Sequence, residues 1–255
     1  MKLSAKVAII TGAAQGIGEA IGKKLAFEGA AVVLADIDVE KARRVADEIK
    51  SQGRVAIAAK VDVANKLEVQ DMVRTTIEKF EAIHILVNNA GIIRRAPFLE
   101  LTEEAWDATI NVDLKGVFNC TQAALPHMIK QRYGKIINIS SIAGTGHCQP
   151  DLASYAAAKA GVIQLTKVTA REAGQHGINV NCIAPGLIVT PLTYTAFRTK
   201  EEIEKSVEQR KTLTLLGRAG MPEDVANLAL FLACDDSSFI TGQVIPIDGG
   251  RTDGM

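Results

Sequence analysis

The chain has 255 residues, 47% of them hydrophobic, which is enough apolar material for a large core, and α/β chains of this size often form one domain. Its 29 basic and 29 acidic residues balance, so the charge gives no reason to expect a nucleic-acid partner or an anionic membrane surface. No apolar run is long enough to cross a bilayer and the first strand begins by Lys6, without room for a secretory signal, so we expect a cytoplasmic protein.

The first predicted elements are a buried strand, a glycine-rich turn and a helix. An apolar run over residues 6–11 leads into Gly12, and Gly16 and Gly18 follow at the start of an amphipathic segment. Gly12 permits a tight turn, Gly16 lets a phosphate approach the backbone, and Gly18 lets the helix sit close to the sheet. Because the helix start offers unpaired N–H groups to a pyrophosphate, the turn predicts a dinucleotide site.

A second apolar run, residues 31–35, ends at Asp36. In nucleotide-binding βαβ units, an acidic residue about 20 positions beyond the glycines accepts hydrogen bonds from the adenosine ribose. The same carboxylate repels a 2′-phosphate, and no basic residue stands at positions 13–15 or 37 to bind one. The pattern therefore favours NAD over NADP. Asp36 is also a candidate N-cap of the next helix, although Asp38 can fill that role.

The middle of the chain predicts strands and helices in alternation. Residues 55–59, 83–87 and 135–139 are apolar runs typical of strands, and a long helical pattern covers about residues 103–124. Asn111 lies inside that pattern, an awkward place for a polar side chain. The alternation requires right-handed crossovers and a parallel sheet covered by helices on both faces.

Tyr155 and Lys159 stand four residues apart in an alanine-rich helical stretch, so both project from one face. A tyrosine that works as an acid or base near neutrality needs its pKa lowered by about 3 units, or roughly 4 kcal/mol. A lysine charge about 4 Å away is worth about 4 kcal/mol at an effective dielectric of 20, so one lysine can supply most of it. The same spacing also occurs on solvated helices, so the pair needs support from the rest of the chain.

That support comes from motifs spread along the chain. They are Thr11-Gly12, Gly16-Ile17-Gly18, Asp62-Val63, Asn88-Asn89-Ala90-Gly91, Asn111, Ser141, Tyr155 with Lys159, and Pro185-Gly186. In these motifs the chain resembles the short-chain dehydrogenase/reductase family over essentially its whole length. The resemblance implies one Rossmann domain over residues 1–255, with seven parallel strands in the order 3-2-1-4-5-6-7 and Pro246 tolerable in a last strand at the sheet edge.

The resemblance also assigns residues to NAD. Asp62 would meet the adenine amino group, Val63 would give its backbone N–H to the ring, and the backbone of Ile188 would meet the nicotinamide carboxamide. The predicted cofactor-binding residues are Gly12, Gln15, Gly16, Ile17, Gly18, Asp36, Asp62, Val63, Asn89, Ala90, Gly91, Tyr155, Lys159, Pro185, Gly186, Ile188 and Thr190. No ligand motif predicts a metal, since the four cysteines (Cys120, Cys148, Cys182, Cys234) and the histidines are scattered and are expected to be ordinary residues.

Four catalytic residues follow from the resemblance. Tyr155 would take the hydroxyl proton of an alcohol as hydride leaves for the nicotinamide, and would return it in the reverse direction. Lys159 would favour the phenolate and bond the nicotinamide ribose, and Ser141 would stabilise charge on the substrate oxygen. Asn111 would kink its helix and hold a water that connects the lysine to solvent. Ser140, the neighbouring serine, is expected to bond backbone or cofactor.

Two segments beside the substrate are less defined. The loop between Ser141 and Tyr155 has one residue more than many relatives have, which weakens a substrate inferred by analogy. About residues 190–217 turn polar, with charges that include Arg198 and Lys200. A solvated helical pair explains this segment from the residues alone, and the resemblance implies a lid that closes over substrate.

The expected substrate is a small polyol, sugar or sugar acid. The NAD preference, the polar loop 144–149 and similarity to members acting on gluconate-like or hexitol substrates favour it. Arg94 and Arg95 are candidates to meet an anionic substrate or to form surface ion pairs, and His147 is expected to be a surface loop residue.

Two alternatives remain open. A 3-oxoacyl-[acyl-carrier-protein] reductase would use a basic surface such as Lys130, Arg132 and Arg171, although those relatives usually prefer NADPH and Asp36 argues against it. A nucleotide-sensing regulator without chemistry would typically lack the tyrosine or the lysine. Relatives commonly form tetramers through the helices holding Asn111 and Tyr155 and through the last strand, so we expect a homotetramer.

Overall fold

The computed structural model describes residues 1–147, 149–194 and 199–252, apart from the side chains at positions 200, 203, 206 and 210. Cys148 and Arg198, and the side chain of Lys200, therefore lie outside the described residues. Within the described part of the chain, no helix combines the length and the apolar character needed to span a bilayer.

Seven parallel strands form one sheet in the order 3-2-1-4-5-6-7, which confirms the predicted fold. The strands are nearly continuous apolar runs because helices cover both faces of the sheet and remove both sets of side chains from water. The strands are β1 Val7–Thr11, β2 Ala31–Asp36, β3 Ala56–Lys60, β4 Ile85–Asn88, β5 Gly134–Ile139, β6 Ile178–Pro185 and β7 Val244–Ile247. Pro246 lies in β7 at the edge of the sheet, as predicted.

The helices form one layer on each side of the sheet. The helices are α1 Gly16–Phe27, α2 Val39–Ser51, α3 Lys66–Phe80, α4 Glu103–Ile110, α5 Gly116–Gln131, α6 Ala153–Ala173, α7 Pro191–Tyr194, α8 Lys200–Thr212 and α9 Pro222–Ala233. Alternate residues of β1 show the division into two layers, because Ile10 packs with the core under α1, α2 and α9 while Ile9 packs with the core under α3, α5 and α6.

The long helix predicted over residues 103–124 is interrupted by a π-helical turn, Asn111–Lys115, that separates α4 from α5. The N–H of Gly116 donates to the carbonyl of Asn111, five residues earlier. A π turn carries an extra residue relative to the α-helix, so side chains on its two sides are out of phase with a regular helical pattern. The π turn begins at Asn111, the polar residue that the sequence places inside the helical pattern.

A buried polar network joins the centre of the sheet to the helices on one face. The Nδ2 of Asn88 donates to Oδ1 of Asn138 at 2.8 Å and to Oγ1 of Thr121 at 3.1 Å. The Nδ2 of Asn138 donates to Oγ1 of Thr166 at 2.9 Å. Since unpaired polar groups are costly in a core, these bonds favour one register of β4 against β5 and one seating of α5 and α6.

Asn138→Ala is expected to lower the free energy of unfolding by about 1–3 kcal/mol, because Asn88 loses one of its two buried acceptors and the hydroxyl of Thr166 loses its buried donor. Urea unfolding followed by circular dichroism measures this loss. Gln122→Ala, an exposed position on α5, serves as the control and should change stability by less than about 0.5 kcal/mol. Equal effects of the two substitutions would contradict a stabilising role for the network.

Candidate active site

A cleft of about 360 Å³ opens at the carboxyl ends of β1 to β4, where open parallel sheets bind their ligands. It brings together most of the residues predicted to bind the cofactor. Those in its wall are Gly12, Gln15, Gly16, Ile17, Asp36, Asp62, Val63, Asn89, Ala90, Gly91 and Thr190. Sequence reasoning missed six further lining residues, which flank predicted ones along the chain: Ile37, Val61, Ile92, Val112, Pro191 and Leu192.

The glycine turn has the geometry that its residues predict. Gly12 and Gly16 adopt left-handed backbone conformations, with φ of +63° and +61°. A Cβ at Gly12 would stand 2.8 Å from the Cα of Ala90, and one at Gly18 would stand 2.2 Å from the carbonyl oxygen of Gly12. Gly18 therefore sets the close approach of α1 and is not among the residues that line the cleft.

The start of α1 differs from the starts of α2, α3 and α4. The side chains of Asp38, Asn65 and Thr102 cap those three helices by accepting a backbone N–H. Gln15 precedes α1 in an extended conformation and its side chain makes no capping bond. The first N–H groups of α1 are thus uncapped at the cleft wall, where they fit an anionic group such as a pyrophosphate.

Asp36 is fixed at the cleft by two backbone N–H groups. Its carboxylate accepts hydrogen bonds from Ala14 at 3.0 Å and from Asp38 at 2.9 Å. Asp38, in contrast, accepts from the N–H of Lys41 at 3.2 Å and caps α2. The capping alternative left open for Asp36 therefore falls to Asp38, and the Asp36 carboxylate remains in the cleft wall.

The loop that follows β4, residues 89–92, is bonded to the glycine turn. The hydroxyl of Thr11 accepts from the backbone N–H groups of Asn89 at 3.0 Å and Ala90 at 3.1 Å. The side-chain amide of Asn89 donates to the carbonyls of Thr11 and Gly12. These bonds hold two walls of the cleft together.

Tyr155, Lys159 and Ser141 lie together beyond this loop. The Nζ of Lys159 lies 5.5 Å from the centroid of the Tyr155 ring. The hydroxyl of Ser141 lies close enough to the phenol to lower its pKa, and it accepts the backbone N–H of Ala143 at 3.1 Å. Ser140 is turned away and donates from Oγ to the carbonyl of Lys159 at 2.7 Å. The structure thus gives the two serines different partners.

Asp113, in the π-helical turn, is a site residue that sequence reasoning missed. Its Oδ2 lies 3.1 Å from Nζ of Lys159, and both side chains are almost fully buried. Its Oδ1 accepts the backbone N–H of Ile92 at 2.8 Å. The sequence does show a carboxylate between two apolar residues, in Val112-Asp113-Leu114. Because the π turn changes the helical phase, the sequence alone does not indicate which face of the helix Asp113 occupies.

The charges around Tyr155 oppose one another. Burial raises the pKa of the phenol, Lys159 lowers it, Asp113 raises it, and the nearby Ser141 hydroxyl lowers it, and the net result is a raised pKa. Burial lowers the pKa of Lys159, but Asp113 and Tyr155 together raise it above its ordinary value. The expectation that one lysine supplies most of the shift was therefore incomplete, because Asp113 offsets part of the lysine charge.

The remaining predicted residues lie around this centre. Asn111 is the first residue of the π-helical turn, and its carbonyl is occupied by the N–H of Gly116. Gly186 follows Pro185, the last residue of β6, and Ile188 is buried against a second cavity of about 290 Å³. No group of three or more His, Cys, Asp or Glu side chains that could hold a metal ion occurs among residues 1–147, 149–194 and 199–252.

The chain is similar to known dehydrogenases and reductases over almost its whole length. Residues 12–252 match a family model described as enoyl-(acyl carrier protein) reductase. The chain is 45% identical over 252 residues to the (2S)-[(R)-hydroxy(phenyl)methyl]succinyl-CoA dehydrogenase subunit BbsD of Thauera aromatica, with 99% of this chain and 98% of that protein covered. It is 45% identical over 250 residues to 3-oxoacyl-[acyl-carrier-protein] reductase FabG of Thermotoga maritima, with 98% and 99% covered.

A solved structure shares the fold closely. A protein of Agrobacterium tumefaciens, provisionally described as a gluconate dehydrogenase, matches with a TM-score of 0.91 at 32% sequence identity. The match covers 97% of this chain and 96% of that one.

Proposed function

Because the chain belongs to the short-chain dehydrogenase/reductase family, we propose that it is an NAD(H)-dependent enzyme acting on a small hydroxylated acid, sugar or polyol. The chain is an oxidoreductase that interconverts a secondary alcohol and a ketone with a nicotinamide cofactor. The observation that carries the proposal is the convergence of Tyr155, Ser141 and Lys159 next to a cleft whose wall holds Asp36.

The cleft residues fit a dinucleotide. The uncapped start of α1 would bind the pyrophosphate, and Asp36 would accept hydrogen bonds from the adenosine ribose. Asp62 and Val63 would face the adenine, while Ile188 and Thr190 would hold the carboxamide end. A bound nicotinamide supplies the hydride acceptor or donor. The other predicted cofactor residues shape or support this cleft.

The chain's own residues handle the proton. In the oxidation, Tyr155 accepts the hydroxyl proton of the alcohol, and in the reduction it returns that proton to the ketone oxygen. Ser141 would hydrogen-bond the same oxygen, and Lys159 would stabilise the phenolate and bond the ribose of a bound nicotinamide nucleotide. Asn111 would hold a water that passes the proton from Lys159 towards solvent.

Arg95 supports an acidic substrate. It is exposed in the segment that follows the cleft loop, and its positive charge lowers the pKa of Tyr155, which indicates that the guanidinium lies within electrostatic range of the phenol. The adjacent backbone is fixed, since the N–H of Ala96 donates to the carbonyl of Asp151 at 3.2 Å. A carboxylate on the substrate would meet a cation near the reacting carbon.

The segment at about residues 190–217 is proposed as the lid. Pro191 and Leu192 of α7 line the cleft, and α8 continues the same segment. Closure of this segment would exclude water from the cofactor and substrate. Residues 195–198 of the proposed lid lie outside the described residues.

Reduction of 3-oxoacyl thioesters is the second candidate function. It is favoured by the 45% identity to FabG and to BbsD, whose names specify an acyl carrier protein and a coenzyme A substrate. Asp36 in the cleft wall argues for NADH in either case.

Self-association and location complete the proposal. The exposed apolar side chains Phe98, Leu99, Trp106 and Phe118 lie on and before the α4 and α5 helices, where they favour a homotetramer. Cys120, Cys182 and Cys234 are free thiols, as expected in a reducing cytoplasm.

Tyr155→Phe is expected to lower kcat by about 10²–10⁴-fold while NADH still binds, because the phenyl ring keeps the shape but cannot exchange a proton. Stopped-flow absorbance of NADH gives the rate, and NADH fluorescence gives the binding. In the wild type, burial raises the pKa of the phenol, so oxidation should increase with pH and reduction should decrease. Tyr133→Phe, at a distant tyrosine bonded to Asp235, should keep the wild-type rate. Full turnover by Tyr155→Phe would remove Tyr155 from the mechanism.

Asp36→Asn is expected to reduce the preference for NAD over NADP by about tenfold or more, because the repulsion of a 2′-phosphate is lost. The ratio of kcat/KM for the two cofactors measures the preference. Asp38→Asn removes a charge two residues away while keeping the N-cap, and should leave the ratio within about twofold. The ribose role of Asp36 fails if both variants give the wild-type ratio.

A panel of polyols, sugar acids and acetoacetyl thioesters, monitored by NADH absorbance, compares the two substrate classes. Arg95→Gln is expected to raise KM for the acids by about 10-fold and to leave neutral polyols unchanged, as for loss of one charged hydrogen bond. Arg94→Gln is the matched neighbour and should have a smaller effect. Turnover of thioesters alone would favour the second candidate.

A further inference from the structure

Asp113 is a buried charge that the proposed mechanism does not use. We propose that it is the counter-ion of Lys159, a positioning residue that fixes the ammonium beside Tyr155 and sets the pH at which the Tyr155–Lys159 pair releases its first proton. This inference rests on the proposed function for its catalytic consequence, but the ion pair itself can be tested without any substrate.

The geometry gives each carboxylate oxygen a separate task. Oδ1 accepts the N–H of Ile92 and so bonds the π-helical turn to the cleft loop. Oδ2 lies 3.1 Å from Nζ of Lys159 as an ion pair, and within the described residues it has no hydrogen-bond partner. The ammonium also donates to the carbonyl of Ile139 at 3.1 Å, which limits where it can lie.

The backbone around the pair is shaped for this contact. A Cβ at Gly91 would stand 3.0 Å from Oδ2 of Asp113 and 3.3 Å from Nζ of Lys159, so the loop passes the pair at a place where a side chain would crowd it. The π-helical turn carries Asp113 against α6, which holds Lys159. Both charges are nearly removed from water, and each therefore depends on the other for compensation.

Within the described part of the chain, few other charged groups act on the Lys159–Asp113 pair. Arg95 acts on Tyr155 from the segment after β4, and Ser141 contributes a neutral hydroxyl from the end of β5. Cys182 approaches Lys159 from β6, but burial raises the pKa of its thiol to about 11, so it is neutral near physiological pH. Burial raises the pKa of Asp113, while Lys159 and the hydrogen bond from the Ile92 backbone lower it. Asp113 is thus a buried carboxyl that acts on both Lys159 and Tyr155 and depends on the ammonium for its ionisation.

Loss of the negative charge at position 113 is expected to change the pH of proton release in one direction only. With Asp113 ionised, loss of a proton from the Tyr155–Lys159 pair leaves a net negative charge in a buried cluster. With a neutral residue at position 113, the same loss starts from a net positive charge and ends neutral, whichever member gives up the proton. The first proton should therefore leave at lower pH, and because the two groups are coupled this statement applies to the pair.

A purely structural role is the competing explanation. In it, Asp113 only holds the cleft loop through Ile92. Asp113→Asn separates the two roles, because the amide oxygen can still accept from Ile92 while the charge is lost.

The first experiment measures stability and needs no reaction. Asp113→Asn and Lys159→Met are made singly and together, and unfolding midpoints in urea are compared. Asp113→Asn should lower the midpoint in the wild-type background, where it leaves the ammonium unpaired, and should raise it in the Lys159→Met background, where it removes an unpaired carboxylate. If a single variant fails to fold, recovery of folding in the double variant supports the pair. A lower midpoint in both backgrounds would overturn the counter-ion role.

The second experiment measures the pH profile of kcat/KM for alcohol oxidation on the best substrate of the panel. For Asp113→Asn the rising limb should move to lower pH by on the order of one unit, as expected for one charge within roughly 10 Å at an effective dielectric of about 20. Its kcat should fall by up to about 100-fold, because the ammonium is no longer held in place. Asp107→Asn, an exposed acid on α4, should leave both the profile and the rate unchanged.

The outcomes distinguish the two proposals. If the wild type oxidises alcohols but Asp113→Asn leaves the pH profile unchanged or moves it to higher pH, the counter-ion role of Asp113 is rejected. The proposed oxidoreductase function is then retained. A wild type without turnover on any panel substrate rejects the substrate proposal, while the reversal of sign in the stability experiment still supports the ion pair.

Discussion

The contact between Lys159 and Asp113 joins three parts of the molecule that are distant in the sequence. Lys159 belongs to α6, Asp113 to the π-helical turn, and the backbone of Ile92, bonded to the same carboxylate, to the loop after β4. A lone ammonium or carboxylate at this depth would be strongly disfavoured, so neither side chain is stable there without the other. The positions of the phenol beside them and of the cleft wall above them both follow from how these three segments meet.

Much of the architecture could be predicted because it depends on local patterns. Apolar runs indicated the strands. The glycine pattern indicated the turn, because Gly12 and Gly16 adopt left-handed backbone conformations that other residues rarely adopt. The strand order came from the family resemblance. Asp113 could not be placed, because the π turn shifts the helical phase on which any assignment of faces depends. The Asn88–Asn138 bond was equally inaccessible, since it depends on how two strands align.

Pairs of adjacent, chemically similar residues show what coordinates add to a motif. Asp36 and Asp38 are both suitable caps, yet Asp38 caps α2 and Asp36 faces the cleft. Ser140 and Ser141 carry the same hydroxyl, yet Ser140 bonds the backbone of α6, while Ser141 lies near enough to the phenol to lower its pKa. In each pair the strand has just ended, and the direction of the next turn decides which residue points into the site. The residue type indicates which chemistry is possible, but the backbone conformation determines which of the two residues faces the site.

Pro246 affects how copies of the protein interact with one another at high concentration. It interrupts the row of amide donors on β7, which forms one open margin of the sheet. An edge strand that lacks one backbone N–H cannot form a continuous set of hydrogen bonds with a strand of another chain. Fibril-like growth from this edge of the sheet is therefore disfavoured. Copies of the protein can then pack side chains against one another at β7 without their sheets fusing into one.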